Sequence, residues 1–377
     1  MNSIKNLIVF LSKNILIKNY NHSKSNKRAL LVYITRPFIT QRIHHTNAIE
    51  AKMIMECLDE RDYRVDIIYY DTTKKIKYQN YDLIIGMGKG YINSLGKCKK
   101  DAIRLYLATG AFFLYANANE IERWIELGIR KHIPLEAINR LEKNDDPIKA
   151  VASIRESNAI LVDSDGWSAT TYDIFQKPIF KLGAIAFNYY KYSDFNRNIQ
   201  KAKCNFLCIT GQGFIHKGID VLLEVFSERE DVSLYIIGPP DKAFIDMFSY
   251  ELNKSNIYYG GFIDLKSLEY KNIAEKCAFS INASCSEGCC TSILSSMTTG
   301  LIPILSKYES VDDFGFGIRI DEINVEKIDL AIDYAIRLPD EEIIERMNSI
   351  AKQAENYTEK KYKERVNDAL ISILGQY

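Results

Sequence analysis

The chain alternates short apolar runs with amphipathic stretches, and it does so in two series, a pattern that leaves few architectures open. In the first series, residues 29–34, 65–70, 82–86, 105–108, 159–162 and 179–182 are short, apolar and rich in β-branched and aromatic side chains, which predicts buried strands. Helical patterns lie between them: Ile49, Met53 and Cys57 after His45-Thr46-Asn47; Ile121, Trp124, Ile125 and Gly128 over 119–128; a stretch at 148–156; and another from Trp167. The polar stretch 189–203, dense in Asn, Lys, Arg and Tyr, reads as a linker. After it, strands are expected at 206–209, 233–238, 257–262, 278–282 and 301–305. A helix with Ile219, Leu222, Leu223 and Phe226 on one face follows the first of these, and the chain ends in charged, helical sequence. Strands alternating with helices imply parallel, doubly wound sheets. Two such sheets in one chain place a ligand cleft between them.

A length of 377 residues exceeds one ordinary core, and 47% hydrophobic residues suffice to fill two. The expected organisation is an extension over 1–28, a first Rossmann-like domain over 29–190, a linker over 191–204, a second Rossmann-like domain over 205–355, and a C-terminal helix over 356–377 able to reach back to the first domain. Lys plus Arg and Asp plus Glu each total 49, so no net charge draws the chain to nucleic acid. The 8 Cys are scattered, two of them adjacent at Cys289 and Cys290, without a C-x-x-C pair, which points to reduced thiols and a cytoplasmic setting.

Residues 1–49 contain no acid; the first is Glu50. Ile4, Leu7, Ile8, Leu11, Ile15 and Leu16 recur at helical spacing among Lys5, Lys13 and Lys18, and Lys13 leaves the apolar run too short to span a bilayer. A small-residue cleavage site is missing as well. Residues 1–28 therefore read either as a basic amphipathic helix on the anionic inner face of a membrane or as a packed or disordered extension.

Two constellations carry chemistry. The first is the strand–turn–helix Gly211-Gln212-Gly213-Phe214-Ile215-His216-Lys217-Gly218. Its glycines let backbone approach an anion, the next helix directs N–H groups there, and Lys217 adds a mobile cation suited to a diphosphate. The plainer alternative is a tight turn with a solvated lysine. The second constellation is Ser284-Cys285-Ser286-Glu287-Gly288, a helix at 291–299, and Gly300-Leu301-Ile302-Pro303. A carboxylate at that strand end can accept hydrogen bonds from sugar hydroxyls, or simply favour the helix N-terminus. Asp163-Ser164-Asp165 after a strand has the D-x-D form by which one-domain transferases hold a divalent metal, although Asp165 also fits as a helix N-cap. Cys285, Cys289 and Cys290 read as small apolar filling rather than a thiolate cluster.

Together the two constellations resemble the group-one (family four) retaining glycosyltransferases of the GT-B fold. Lys217-Gly218 matches that family's first motif, Glu287-Gly288 its second and Gly300-Leu301-Ile302-Pro303 its third, in the same order and separation. His45-Thr46-Asn47, Ala108-Thr109-Gly110, Asn119-Glu120 and Arg123 look like the bacterial surface-polysaccharide branch. The resemblance spans about residues 30 to 310.

It implies a donor site formed by Gly211, Gln212, Gly213, His216, Lys217, Glu287, Gly288, Cys289, Cys290 and Ser295. Lys217 would bind the diphosphate and Glu287 the sugar hydroxyls, with the backbone of 288–290 near the phosphates. Thr109, Gly110 and Asn119 would face the acceptor, and His45 stands in for a histidine missing from the loop at Thr109-Gly110-Ala111. No cofactor or metal is implied; the donor is a nucleotide sugar, with UDP favoured slightly over GDP. Two positions depart from the family: Gln212 stands where it has a diphosphate-binding Arg, and Ser295 where a second Glu grips the ribose. Each lost charged hydrogen bond costs about 1.5–3 kcal/mol. The implied reaction is transfer of a sugar, with retention, to a saccharide or lipid-linked acceptor in lipopolysaccharide or capsule synthesis. The alternative is an inactive subunit of the same fold that supports a partner transferase.

Overall fold

A computed structural model describes residues 13–40, 45–132, 140–142, 144–239 and 242–376. Its strands form two six-stranded sheets, each entirely parallel, in the orders β2-β1-β3-β4-β5-β6 and β12-β11-β10-β7-β8-β9. The first holds β1 (Arg28–Tyr33), β2 (Arg64–Tyr69), β3 (Leu83–Gly86), β4 (Ile103–Ala108), β5 (Ala159–Val162) and β6 (Ile179–Lys181). The second holds β7 (Asn205–Ile209), β8 (Ser233–Ile237), β9 (Ile257–Tyr259), β10 (Phe279–Asn282), β11 (Ile302–Ser306) and β12 (Ile318–Ile320). The central strands are buried on both faces, as their near-continuous apolar sequence requires.

Helices of eight or more residues flank the sheets: α1 (Asn47–Asp59), α2 (Phe113–Lys131), α3 (Pro147–Arg155), α4 (Ile219–Ser227), α5 (Leu268–Lys276), α6 (Thr291–Thr298), α7 (Val325–Arg337), α8 (Asp340–Gln353) and α9 (Glu359–Leu374). Helix α9 returns to the first domain. Its Tyr362, Val366, Leu370 and Ile373 join the core built by Ile54, Leu58, Leu31 and Ile67, and Arg61 donates to the Asn367 carbonyl at 2.9 Å.

Several elements differ from the sequence expectation. Helix α2 starts at Phe113 rather than near 119, because Phe112 and Phe113 are buried in an aromatic cluster with Tyr172 and Phe175. Its inward face is not the isoleucine stripe: Ile121, Ile125 and Ile129 are exposed, while Glu120, Arg123, Trp124 and Leu127 are buried. Strand β9 stops at Tyr259, ahead of Gly260 and Gly261, and a further strand, β12, lies at the edge of the second sheet, where its central Arg319 interrupts the apolar run. The helix at Trp167 is one turn long with Gly166, not Asp165, at its N-cap.

Residues 1–12 of the amphipathic extension lie outside the described residues. Of the remainder, Ile15 of the apolar stripe is exposed, and Ile17 is tied to the first sheet. It exchanges two backbone hydrogen bonds with Ile67 on the edge strand β2, at 2.9 and 2.8 Å. Leu16 and Ile17 cover apolar side chains of the first domain, which protects an otherwise open strand edge. Among the described residues, no helix is long and apolar enough to cross a membrane.

Candidate active site

The C-terminal ends of both sheets meet along a narrow seam, and the residues singled out from the sequence gather there. The turn after β7 brings His216 and Lys217 up beside the loop after β10. Gly218 makes this possible: its φ is +69°, and a Cβ would sit 2.3 Å from the Ala283 carbonyl oxygen. Lys217 and Glu287 form a direct ion pair, with 9% and 15% of their side chains exposed. Burial alone would raise the Glu287 carboxyl and lower the Lys217 ammonium. Burial is the largest single effect on each, but the partner charge together with the neighbouring groups, His216 and Arg140 for Glu287 and Cys290 and Glu309 for Lys217, overcomes it, so Glu287 lies well below the usual carboxylate range and Lys217 above the usual lysine value.

His216 does not face solvent. Its Nδ1 lies 2.6 Å from Glu120 Oε2, and its Nε2 lies 2.7 Å from the Ser286 carbonyl oxygen and 3.1 Å from Glu287 Oε1. Burial disfavours the imidazolium, but bonds to Cys285, Glu120 and Glu287 lift its pKa well above the ordinary histidine value. Glu120 itself, on α2, also accepts from Trp124 Nε1 at 3.1 Å. The first domain thus reaches into the seam with a carboxylate.

At Gly288 the backbones of the two domains come close together. A Cβ there would lie 2.9 Å from both the Asp163 and the Thr109 carbonyl oxygens. The Cys289 N–H donates to the Asp163 carbonyl at 3.1 Å, the Glu287 N–H to the Tyr308 carbonyl at 3.1 Å, and the Cys290 N–H to Glu309 Oε1 at 3.3 Å. Glu309, from the loop after β11, therefore places a buried carboxylate at the N-terminus of α6. Its pKa is pushed up to about 8, first by burial and then by the neighbouring Glu287 charge.

Gln212 is exposed, and its carbonyl oxygen accepts from Arg140 of the first domain at 2.8 Å; Gly211 and Gly213 flank it, Gly213 with φ +87°. The first turn of α4 is less open than its glycine-rich approach suggests, since the Ile219 N–H is bonded to the Phe214 carbonyl. Asp220 in that turn is fully buried and takes Arg123 Nη2 at 2.7 Å and Arg130 from α2. Ser295 is turned away from the seam's opening: its hydroxyl accepts from the Phe187 N–H at 2.9 Å and donates to the Thr291 carbonyl at 2.7 Å.

On the opposite wall, His45, Thr46, Glu50, Thr109 and Asp163 line a cavity of about 260 Å³ together with Cys289 and Thr291. Thr46 and Thr291 hydroxyls meet at 3.0 Å across the domains. Desolvation first, and then the Lys217 charge, lower the His45 imidazole against a side-chain hydrogen bond with Asn47. Asp163, pushed up to about 7 by burial, accepts from the Tyr362 hydroxyl at 2.9 Å, and Asp165 from the Tyr357 hydroxyl at 2.8 Å. Both carboxylates of the D-x-D stretch are thus held by tyrosines of the C-terminal segment. Gly110 lies beside this cavity, its carbonyl accepting from Tyr172; Asn119 sits farther along α2, donating to the Cys285 carbonyl at 2.8 Å. Glu309, Arg140 and Asp220 escaped sequence reasoning, since no spacing rule ties an acid or a lone Arg to a partner 19, 72 or 97 positions away in the chain.

Two facing, parallel, doubly wound domains with a charged seam at their strand ends define a protein of the GT-B class. Residues 192–357, a stretch that covers the second domain, match the model of the family described as Glycosyl transferases group 1. Solved structures share the whole fold. The apo form of the lipopolysaccharide outer core galactosyltransferase WaaB superposes with a TM-score of 0.61 at 12% identity, covering 92% of this chain and 99% of that one. Anabaena HepE in complex with UDP and glucose gives 0.52 at 11% identity, covering 94% and 100%. S. aureus TarM, in complex with Fondaparinux, alpha-GlcNAc-glycerol and UDP, gives 0.52 at 14% identity and covers 84% of this chain, which spans only 57% of TarM's length. No curated protein matches the chain in sequence.

Proposed function

We propose that this chain transfers a sugar from a nucleoside diphosphate to a saccharide or lipid-linked acceptor in surface polysaccharide synthesis, with retention at the anomeric carbon. The observation that carries the reading is the Lys217–Glu287 pair at the domain seam, inside the stretch that matches the group-1 glycosyltransferase family. An incoming diphosphate takes the Lys217 ammonium, and Glu287, released from it, accepts hydrogen bonds from the transferred sugar. His216 can deliver a further positive charge to the same anion. Positioning and stabilisation of the leaving diphosphate then supply the rate, and the acceptor arrives from the side of His45, Thr109 and Gly110. No metal is needed for this chemistry, and UDP is the preferred carrier, in keeping with the UDP named for HepE and TarM. The protein works in the cytoplasm, with an acceptor at the inner membrane surface to which residues 1–28 contribute charge.

At about 260 Å³ the central cavity is smaller than the roughly 300–1,000 Å³ of ligand sites, so the domains part before the donor enters. A panel of nucleotide sugars assayed for nucleoside diphosphate release tests the activity, and the anomeric configuration of the product, read by NMR, tests retention. Inversion would remove the retaining mechanism while leaving the transferase.

A second reading, a non-catalytic subunit that supports a partner transferase, draws on one observation. The N–H groups of Glu287, Cys289 and Cys290 are all bonded within the protein, and Glu309 already fills the anion position at α6. Calorimetric titration with UDP and GDP separates the two readings: heat of binding supports the enzyme, and none with either nucleotide supports the subunit.

A further inference from the structure

Three donor atoms of different chemistry converge where α2 of the first domain crosses two loops of the second. His216 Nδ1 is 2.6 Å from Glu120 Oε2 and 3.5 Å from Cys285 Sγ, and that sulfur is 3.7 Å from Glu120 Oε2. All three residues are buried, none more than 7% exposed. Around a tetrahedral ion with bonds of about 2.0–2.3 Å, neighbouring ligand atoms stand about 3.3–3.8 Å apart. Both distances to the sulfur already fall in that range, and only the Glu120–His216 pair has to open.

The outer side of each ligand is already held. A carbonyl oxygen can only accept, so the proton between His216 and Ser286 sits on Nε2, and Nδ1 is the nitrogen turned toward Glu120 and Cys285. Trp124 Nε1 donates to the second oxygen of Glu120 at 3.1 Å, and Asn119 Nδ2 holds the Cys285 carbonyl at 2.8 Å. Such outer bonds orient metal ligands before the ion arrives. A cavity of about 270 Å³ reaches Cys285 between Asn119, Arg123 and Tyr308, on one side of the three ligands.

We infer that Glu120, His216 and Cys285 form a metal site for a zinc-class divalent ion that ties the two domains together. One thiolate, one imidazole and one carboxylate suit borderline-soft Zn²⁺, whereas Mg²⁺ and Ca²⁺ take oxygen ligands. Binding releases the thiol proton and any Nδ1 proton to solvent, and no electrons move. Since Glu120 belongs to one domain and the other two ligands to its neighbour, the bound ion crosslinks them across the seam. It also steadies Glu287 through the His216 ring. No step of sugar transfer runs through the ion, but it shares His216 with the proposed donor site, and parting of the domains for donor entry requires Glu120 to leave it.

The test uses the full chain, purified without chelator, assayed for zinc by mass spectrometry, then stripped and titrated with Co²⁺. The expected result is about one zinc per chain. Co²⁺ should give visible bands of tetrahedral type and a near-ultraviolet thiolate-to-metal charge-transfer band. Cys285→Ser should abolish the charge-transfer band, with Cys98→Ser keeping it, and Glu120→Gln should weaken Co²⁺ binding about tenfold or more. Circular dichroism confirms that each variant is folded; should Cys285→Ser not fold, His216→Gln takes its place, with loss of Co²⁺ affinity as the readout. Wild-type protein that carries no zinc and develops no charge-transfer band overturns the site, as does a band that survives Cys285→Ser.

Discussion

The Lys217 ammonium and the Glu287 carboxylate touch although 70 positions separate them in the chain. The contact exists because Gly218 lets the turn after β7 close against Ala283, next to the loop that carries Glu287. Each charge is the other's main compensation for leaving water, so neither side chain is free to wander before a ligand arrives.

Removing one partner should therefore cost more than removing both. Lys217→Met alone is expected to destabilise the fold by about 3 kcal/mol, because it leaves the buried Glu287 carboxylate with His216 as its remaining cationic partner, while the double variant with Glu287→Gln should lose less than Lys217→Met by itself. Urea denaturation measures both. Under the transferase reading, Glu287→Gln should also cut nucleoside diphosphate release about 100-fold or more; normal turnover would remove Glu287 from the site.

Asp220 is the pivot of the contact between α2 and α4, paired with Arg123, itself only 3% exposed, and with Arg130. Asp220→Asn removes the buried charge that both guanidiniums share, leaving buried Arg123 with only the partly exposed Glu126 and Arg130 with Glu224 and Glu126. A loss of about 3–5 kcal/mol is expected, read as a fall in Tm. An unchanged Tm would mean that the domains do not depend on this pairing.

Stability should fall as pH rises through neutrality. The unfolded chain gives up the Glu309 proton near the ordinary carboxylate value, and the folded chain only near 8. The folded state's advantage is thus complete below the ordinary value and shrinks by about 1.4 kcal/mol per pH unit until pH passes the folded value. Asp163, pushed up to about 7, acts in the same direction. Between pH 5 and 8 the Tm of Glu309→Gln should decline less steeply than that of the wild type. Parallel slopes would show that Glu309 stays ionised throughout.

Restoring the glutamate that the resemblance expects at position 295 should not help. Ser295 is 2% exposed and bonded to both Phe187 and Thr291, so a longer charged side chain has no room and breaks the bond to the Phe187 N–H. Ser295→Glu is expected to lose about 1–3 kcal/mol without tightening UDP binding. Tighter binding by calorimetry would show that the side chain finds the seam.

Much of this architecture was legible in the order of residues. Runs such as 83–86 and 159–162 are apolar on every residue, which only a strand covered on both faces explains. Lys217 and Glu287 were legible because each follows a strand and precedes a helix. The inward face of α2 was not, since periodicity favours Ile121 and Ile125 over Glu120 and Arg123. That reading assumes an apolar partner, and α2 instead meets the buried charge of Asp220 and the His216 ring.

The sequence by itself determined two doubly wound domains and the strand ends at which chemistry can occur, because apolar periodicity and glycine placement are local properties of the chain. Tertiary structure alone decided which distant charges face one another: Lys217 with Glu287, Glu309 with the start of α6, and Glu120 with His216 and Cys285. Those pairings depend on how two sheets are set against each other. A carboxylate's pKa and partner follow from what surrounds it in space, and spacing along the chain carries no record of that.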